Sequence, residues 1–455
     1  MEVFGSSGIR GVVGKELVPA DAVRVAQAAA DVFDTGRVAV ARDTRRTGGM
    51  LVNAVASGLA SVGCDVDRVG VVPTPGLQVY CSRETVPGVM VTASHNPPEF
   101  NGIKLVGPDG VELTSDTLDR VETALDGEPE LVAWDETGRS QRVDGVCREY
   151  RAAVRSAVDR STIADAGLTV ALDPGHGAGA LTSPDLLAGL GCTVKTVNAQ
   201  PDGQFPGRDP EPVAETLGDL RSLVRVSGAD LGVAHDGDAD RAMFVDETGA
   251  HIEGAAVLAA LAAADLDPGE TVVSAVNVSQ RLVDVVREAG ATLELTPIGS
   301  THIITAIRDL QAAGETVPVA GESNGGIFFP GYRIARDGAY TAARFLELLA
   351  DRPASEVVAP YSDYDNVRRN IRYRDETERT AMVEAIEAVA AESNAAVDTT
   401  DGYRLDYGDA WVLARPSGTE PVVRVYAEAR GHERALTLAD RMIDRVEAAR
   451  TGVRS

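Results

Sequence analysis

The segment running from Thr92 to Lys104, Thr-Ala-Ser-His-Asn-Pro-Pro-Glu-Phe-Asn-Gly-Ile-Lys, sets one hydroxyl, Ser94, among candidate cations, His95 and Lys104, directly after a run that reads as a buried strand over 86–92. A serine in such a place is able to accept a phosphoryl group, because cations and loop N–H groups stabilise charge on the transferring oxygens. Taken alone, Ser-His-Asn-Pro is also the composition of an ordinary turn capped by Ser and Asn.

A second loop, Asp236-Gly237-Asp238-Ala239-Asp240-Arg241, follows a predicted strand at 231–234. Alternate carboxylates in a loop can turn their oxygens to one centre, which suits a hard cation. A calcium hand is the competing assignment, and its twelfth position would even be Glu247. It fails because the sixth position, where glycine makes the turn, is Arg241, and because 242–245 reads as a strand. A magnesium site of three aspartates completed by a phosphate oxygen fits better. Two further loops are weaker alone. Gly321-Glu322-Ser323-Asn324-Gly325-Gly326 offers a carboxylate and an amide able to bind paired sugar hydroxyls. Arg415-Pro416-Ser417-Gly418-Thr419-Glu420-Pro421 offers a guanidinium, hydroxyls and N–H donors that can cradle a phosphate, although a plain hairpin turn has the same look.

The elements that must carry these loops follow from hydrophobic periodicity. Short β-branched runs alternate with Ala-rich amphipathic stretches, as expected of parallel sheets covered by helices. Helices are predicted at 21–33, 50–62, 183–190, 255–264 and 280–289, and strands at 37–41, 86–92, 167–172, 193–197, 231–234 and 271–275. The last stretch differs: helices at 376–392 and 433–449 flank strands at 410–413 and 422–427, a smaller α+β unit. The Gly- and Pro-rich 201–212 reads as an excursion within the second unit. The expected division is 1–150 with the serine loop, 151–250 with the aspartate loop, 251–365 with the sugar-reading loop, and 366–455 with the phosphate loop.

Composition bounds the partners. The 455 residues are too many for one core, and with aromatics at 4% the cores must be filled mainly by Ala, Val, Leu and Ile. A formal net charge of −26 argues against nucleic acid or an anionic membrane as the main partner. The basic residues are nearly all arginine, the lysines being Lys15, Lys104 and Lys195, and the acid excess reads as adaptation to high salt. Four scattered cysteines without a C-x-x-C pair read as reduced, small hydrophobes and suggest no zinc site. No run of 18 uninterrupted apolar residues occurs, and the expected location is the cytoplasm.

Together the four loops resemble those of the α-D-phosphohexomutase superfamily, in family order along essentially the whole chain. The resemblance implies an α/β fold of three related α/β domains plus a smaller C-terminal α+β domain around a central cleft. It implies that Ser94 is a phosphoserine served by His95 and Lys104, that Asp236, Asp238 and Asp240 with a Ser94 phosphate oxygen hold Mg2+, and that Arg241 lies beside that phosphate. It maps Glu322 and Asn324 onto sugar hydroxyls, and Arg415, Ser417, Gly418 and Thr419 onto the clamp for the non-reacting phosphate. The opening Phe4-Gly5-Ser6-Ser7-Gly8-Ile9-Arg10-Gly11 is similar to the segment that brings an arginine, here Arg10, into the active site. The implied reaction passes through a sugar bisphosphate, as intermediate or primer. Two departures stand out. Many hexomutases read G-E-x-S-G-H where this chain has Asn324 and Gly326, and 297–302 lacks the usual pattern, with His302 as one replacement cation and packed structure as the alternative. Glucosamine phosphate leads as substrate, ahead of glucose or mannose phosphate and then a pentose phosphate. A phosphosugar phosphatase or a non-catalytic phosphosugar-binding protein are the other classes. Oligomeric state is not legible.

Overall fold

Each of the four chemical loops is a short link between consecutive strands, and this decides the sheet architecture. Gly88–Val91 is joined to Phe100–Val106 by 92–99, Leu231–Ala234 to Met243–Asp246 by 235–242, Ala320–Gly321 to Ile327–Phe329 by 322–326, and Ala410–Pro416 to Val422–Arg430 by 417–421. A parallel crossover needs a dozen or more residues, so all four pairs are antiparallel. The expected parallel pairs are present, and antiparallel pairs are added to them at the chemical loops. The first three sheets are mixed, parallel where helices cross over and antiparallel where the chemical loops turn back.

The computed structural model describes residues 8–417 and 420–452; Phe4, Ser6 and Ser7 of the expected opening segment, and Gly418 and Thr419 of the phosphate loop, lie outside the described residues. The first sheet has the order Ile9–Val12, Phe100–Val106, Gly88–Val91, Arg37–Arg42, Asp65–Val71, Ser140–Arg142. The helix Val146–Ser156 spans the expected division at 150 and packs on Thr74–Glu84. The second and third sheets have five strands each. Their facing sides share one apolar core, in which Phe244, Leu258, Val272 and Phe345 are buried together. Helix Gly254–Asp265 is buried from Gly254 to Ala262 and carries its apolar residues all round, as a helix between two layers must. The fourth sheet is antiparallel throughout, with Tyr364–Arg372 at one edge and Ala396–Asp398 at the other, and helices Glu376–Ala391 and His432–Gly452 pack on each other and on it.

The cysteines are all free, three buried and Cys147 partly so. Among the described residues no helix is long and apolar enough to cross a membrane.

Candidate active site

Ser94 follows the fully buried strand Gly88–Val91 and lies in a left-handed conformation, φ 51°, which a serine adopts only when its surroundings hold it there. What holds it is a buried ion pair. Asp43 accepts from Thr92 Oγ1 at 2.7 Å and from Arg45 Nε at 3.0 Å, while Thr92 Oγ1 accepts from Ser94 N at 2.9 Å. The Arg45 guanidinium then donates to the carbonyls of Ser94 (2.9 Å), Asn96 (2.6 Å), Pro97 (2.6 Å) and Phe100 (3.1 Å), and stacks over Phe205. One arginine thus spans the turn of the loop. Phe205 lies in the excursion 201–212, which reaches back to bridge Gly203 with Arg45.

The aspartate loop meets this loop at its centre. Ser94 Oγ donates to Asp236 Oδ2 at 2.6 Å, and a Cβ on Gly237 would stand 2.6 Å from the Ser94 carbonyl, so only glycine lets the two loops touch. The loop is braced from behind. His235 Nδ1 lies 2.8 Å from the Arg241 carbonyl and Nε2 lies 3.0 Å from Ser183 Oγ, and Arg208 Nη2 donates to the His235 carbonyl at 2.6 Å. Burial pushes the His235 imidazole down to about 4, so it braces as a neutral ring.

The three aspartates are buried and offer one oxygen each within 4.8 Å of one another. Asp238 Oδ2 accepts from Thr74 Oγ1 (2.5 Å) and Lys104 Nζ (2.8 Å), and Asp240 Oδ2 from Lys104 Nζ (2.8 Å) and Arg336 Nη2 (2.7 Å). Their Oδ1 atoms are buried without a hydrogen-bond partner. Two orphaned anionic oxygens beside the Asp236 carboxylate are the donor set a hard divalent cation takes, so the residues fit magnesium. The electrostatics agree. Burial, then the charges of Asp240 and Asp238, push the Asp236 carboxyl up to about 8. Burial would raise Asp240 too, but Arg336, Lys104 and Arg241 hold it well below the usual carboxylate range.

Lys104 and His95 separate in role. Burial would lower Lys104, yet Asp238 and Asp240 more than offset this and keep it charged. His95 was expected as a second cation beside the phosphate, and in this structure, which holds no phosphate, its surroundings disfavour the charged form. Burial, followed by the charges of Arg241 and Arg10, holds its imidazole down to about 2, so it is a neutral ring with Nδ1 unpartnered. Arg10 sits opposite Gly102 on the neighbouring strand, its Nη1 donating to Asn96 Oδ1 at 3.2 Å, and Arg241 Nε lies 3.9 Å from both Asp236 Oδ2 and Asp240 Oδ1.

The sugar-reading loop closes on the end of the aspartate loop through Ala242 N to Gly325 O at 3.1 Å, reinforced by Gly338 N to Ala239 O at 3.2 Å. Inside it, Asn324 Nδ2 donates to Glu322 Oε2 at 3.3 Å, and Asn324 Oδ1 accepts from Gly326 N at 3.0 Å. Arg415 and Ser417 belong to the fourth sheet: Arg415 Nε donates to Asp401 Oδ1 at 2.8 Å, and Ser417 N donates to the Val422 carbonyl at 2.8 Å. The structure therefore gathers Ser94, His95, Lys104, Arg241 and the aspartates into one buried centre, with Arg10 at its side, and sets Arg415 and Ser417 on a separate body. Sequence reasoning missed Thr74, Arg45, Arg208 and Arg336, whose partners are remote in sequence.

Family models match in chain order. They are "Phosphoglucomutase/phosphomannomutase, alpha/beta/alpha domain I" over residues 1–131, domain II over 148–249, domain III over 250–364, and the C-terminal domain over 370–445. A Methanopyrus kandleri protein named "Probable phosphoglucosamine mutase" is 40% identical over 97% of both chains. A Thermococcus kodakarensis protein named "Phosphoglucomutase/phosphomannomutase" is 37% identical over 99% of this chain and all of its own. The crystal structure of a phosphoglucomutase/phosphomannomutase family protein from Burkholderia thailandensis superimposes with a TM-score of 0.84 at 29% identity, covering 99% of this chain and 98% of that one. The four matched domains and the full-length relatives place the chain in the phosphoglucomutase/phosphomannomutase family of the α-D-phosphohexomutase superfamily: it is a phosphosugar mutase.

Proposed function

We propose that the chain interconverts the 1-phosphate and 6-phosphate of a hexosamine, glucosamine first, with Ser94 as the phosphoryl carrier. The observation that carries this reading is the 2.6 Å contact of Ser94 Oγ with Asp236, inside a buried triad whose other carboxylates are capped by Lys104. Phosphoserine 94 gives its phosphoryl group to the free hydroxyl of a sugar monophosphate, the P–O bond to serine breaking as the bond to the sugar oxygen forms. The sugar bisphosphate reorients in the cleft, its other phosphate returns to Ser94 Oγ, and the isomeric monophosphate leaves. Both phosphoryl transfers conserve phosphate, with the hydroxyl proton leaving one oxygen as the other receives one.

In this chain Lys104 holds Asp238 and Asp240 in register. His95 is buried beside the centre with Nδ1 unpartnered, placed to donate to or accept from a phosphate oxygen. Asp236, Asp238 and Asp240 would hold Mg2+, which when bound neutralises charge on the transferring oxygens. Glu322 and Asn324 would read the sugar hydroxyls, and Arg415 with Ser417, together with Gly418 and Thr419, would clamp the far phosphate. The name of the Methanopyrus relative supports glucosamine phosphate, and that of the Thermococcus relative supports glucose and mannose phosphates as second substrates. The net charge of −26 suits a protein working in a salt-rich cytoplasm.

A panel of glucosamine, glucose, mannose and ribose 1-phosphates, each with magnesium and a bisphosphate primer, tests the reading. Glucosamine 1-phosphate should give the highest kcat/KM, and Ser94→Ala should lose roughly four orders of magnitude or more on it, the scale of deleting a covalent nucleophile. Release of inorganic phosphate at the rate of sugar turnover would replace the mutase with a phosphatase.

A further inference from the structure

Arg336 ends the strand Arg333–Arg336 at the edge of the third sheet and is all but fully buried, its side chain 3% exposed. A buried guanidinium needs a reason. Its Nη2 lies 2.7 Å from Asp240 Oδ2 and 3.6 Å from Glu112 Oε1. The stem takes a particular route. A Cβ built on Gly326 would stand 2.8 Å from Arg336 Cδ and 3.6 Å from Cγ, with Asn324 Oδ1 at 3.1 Å. The side chain therefore passes through the space that a residue at 326 would fill, between the sugar-reading loop and the aspartate loop. Its Nε, the atom following that Cδ, is buried and has no hydrogen-bond partner.

We propose that Gly326 and Arg336 work as a pair, glycine leaving room at the foot of the sugar-reading loop and Arg336 using that room to tie the loop to Asp240 as a positioning residue. The proposal rests on the mutase reading and adds to it a single cation joining the loop that reads the sugar to Asp240 of the aspartate loop. It also answers the departure seen in the sequence. Where many hexomutases place a histidine side chain, this chain has no side chain, and a guanidinium from a later strand enters instead. Substituting Gly326→His would drive the new Cβ into the Arg336 stem before any imidazole could act.

A double-mutant cycle on the full-length chain tests the pairing. Gly326→Ala should raise KM for glucosamine 1-phosphate about tenfold, and the same change in an Arg336→Ala background should cost about twofold or less, the non-additivity expected of residues in contact. Arg336→Met, which keeps the stem and loses the charge, should raise KM more than it lowers kcat, and Arg336→Lys should recover part of the loss. The same ordering should appear in calorimetric binding of glucosamine 1-phosphate to these variants carrying Ser94→Ala, where no turnover occurs. Equal costs of Gly326→Ala in both backgrounds, or an Arg336→Met protein that binds and turns over as the parent does, would overturn the pairing while leaving the mutase reading intact. If Arg336→Ala does not fold, the Met and Lys variants carry the test alone. A parent protein that neither binds nor isomerises the sugar phosphate would overturn both readings.

Discussion

The reacting centre and the phosphate loop are built in opposite ways. Around Ser94 the groups are buried, held by charges and carbonyls from three sheets, and welded where loops touch: Ser94 to Asp236, Thr74 to Asp238, Arg336 to Asp240. The second and third sheets share a core, so the Arg336–Asp240 contact joins elements that cannot shift independently. The fourth sheet has its own core and meets the third through a small apolar patch around Val276, Trp411, Leu413 and Tyr426. A few polar ties accompany the patch: Glu428 capping Ser279 and Gln280, Arg404 on the carbonyls of Val276 and Val278, and Asp401 receiving Ile298 N. Phosphoryl transfer demands fixed geometry, whereas a clamp that must grip either end of a reorienting sugar demands a body able to move. The difference in packing follows that division of labour.

The largest expected effect lies in the rigid centre. Asp238→Asn keeps shape but removes a charge, weakens the hold on Lys104 and Thr74, and leaves the triad short of its anionic donors. Activity at low magnesium should fall by about two to three orders of magnitude and recover in part as magnesium is raised. Full activity of this variant at low magnesium would mean that the loop does not hold the metal.

Next comes the buried support of the serine loop. Arg45→Met strands Asp43 without its partner and frees four loop carbonyls, so unfolding stability should drop by about 3–5 kcal/mol, read from denaturant melts. A change below about 1 kcal/mol would show that the loop is held by its backbone alone.

The smallest effect belongs to the separate body. Arg415→Lys replaces a fork by a point charge, and Asp401→Asn loosens the guanidinium it orients; each should raise KM about tenfold with kcat little changed. A fall in kcat without a rise in KM would erase the contrast between the two regions.

Much of this was legible in the sequence where function and fold are local. The aspartates sit within one loop, Ser94 follows a buried strand, and helix 280–289 and strands 231–234 and 271–275 have the bounds their periodicity predicts. What escaped is non-local. Arg45 reaches Ser94 across 49 residues, Arg336 reaches Asp240 across 96, and Thr74 reaches Asp238 across 164, distances over which no spacing rule operates. The charge of His95 was not legible because neighbouring arginines and burial, both products of folding, act on it. The antiparallel pairs within the first three sheets escaped because the chemical loops were weighed for their side chains and not for their length as connections.

The central claim is that Ser94 carries the phosphoryl group. Incubating the protein with a sugar bisphosphate bearing labelled phosphate, digesting with trypsin and locating the label tests it directly. Cleavage after Arg83 and Lys104 releases Ser94 in the peptide 84–104. The account predicts label on Ser94 in that peptide, lost again when unlabelled sugar monophosphate is added, at a rate that matches turnover. Turnover at full rate with no label on Ser94, or label on another residue with the same kinetics, would contradict it.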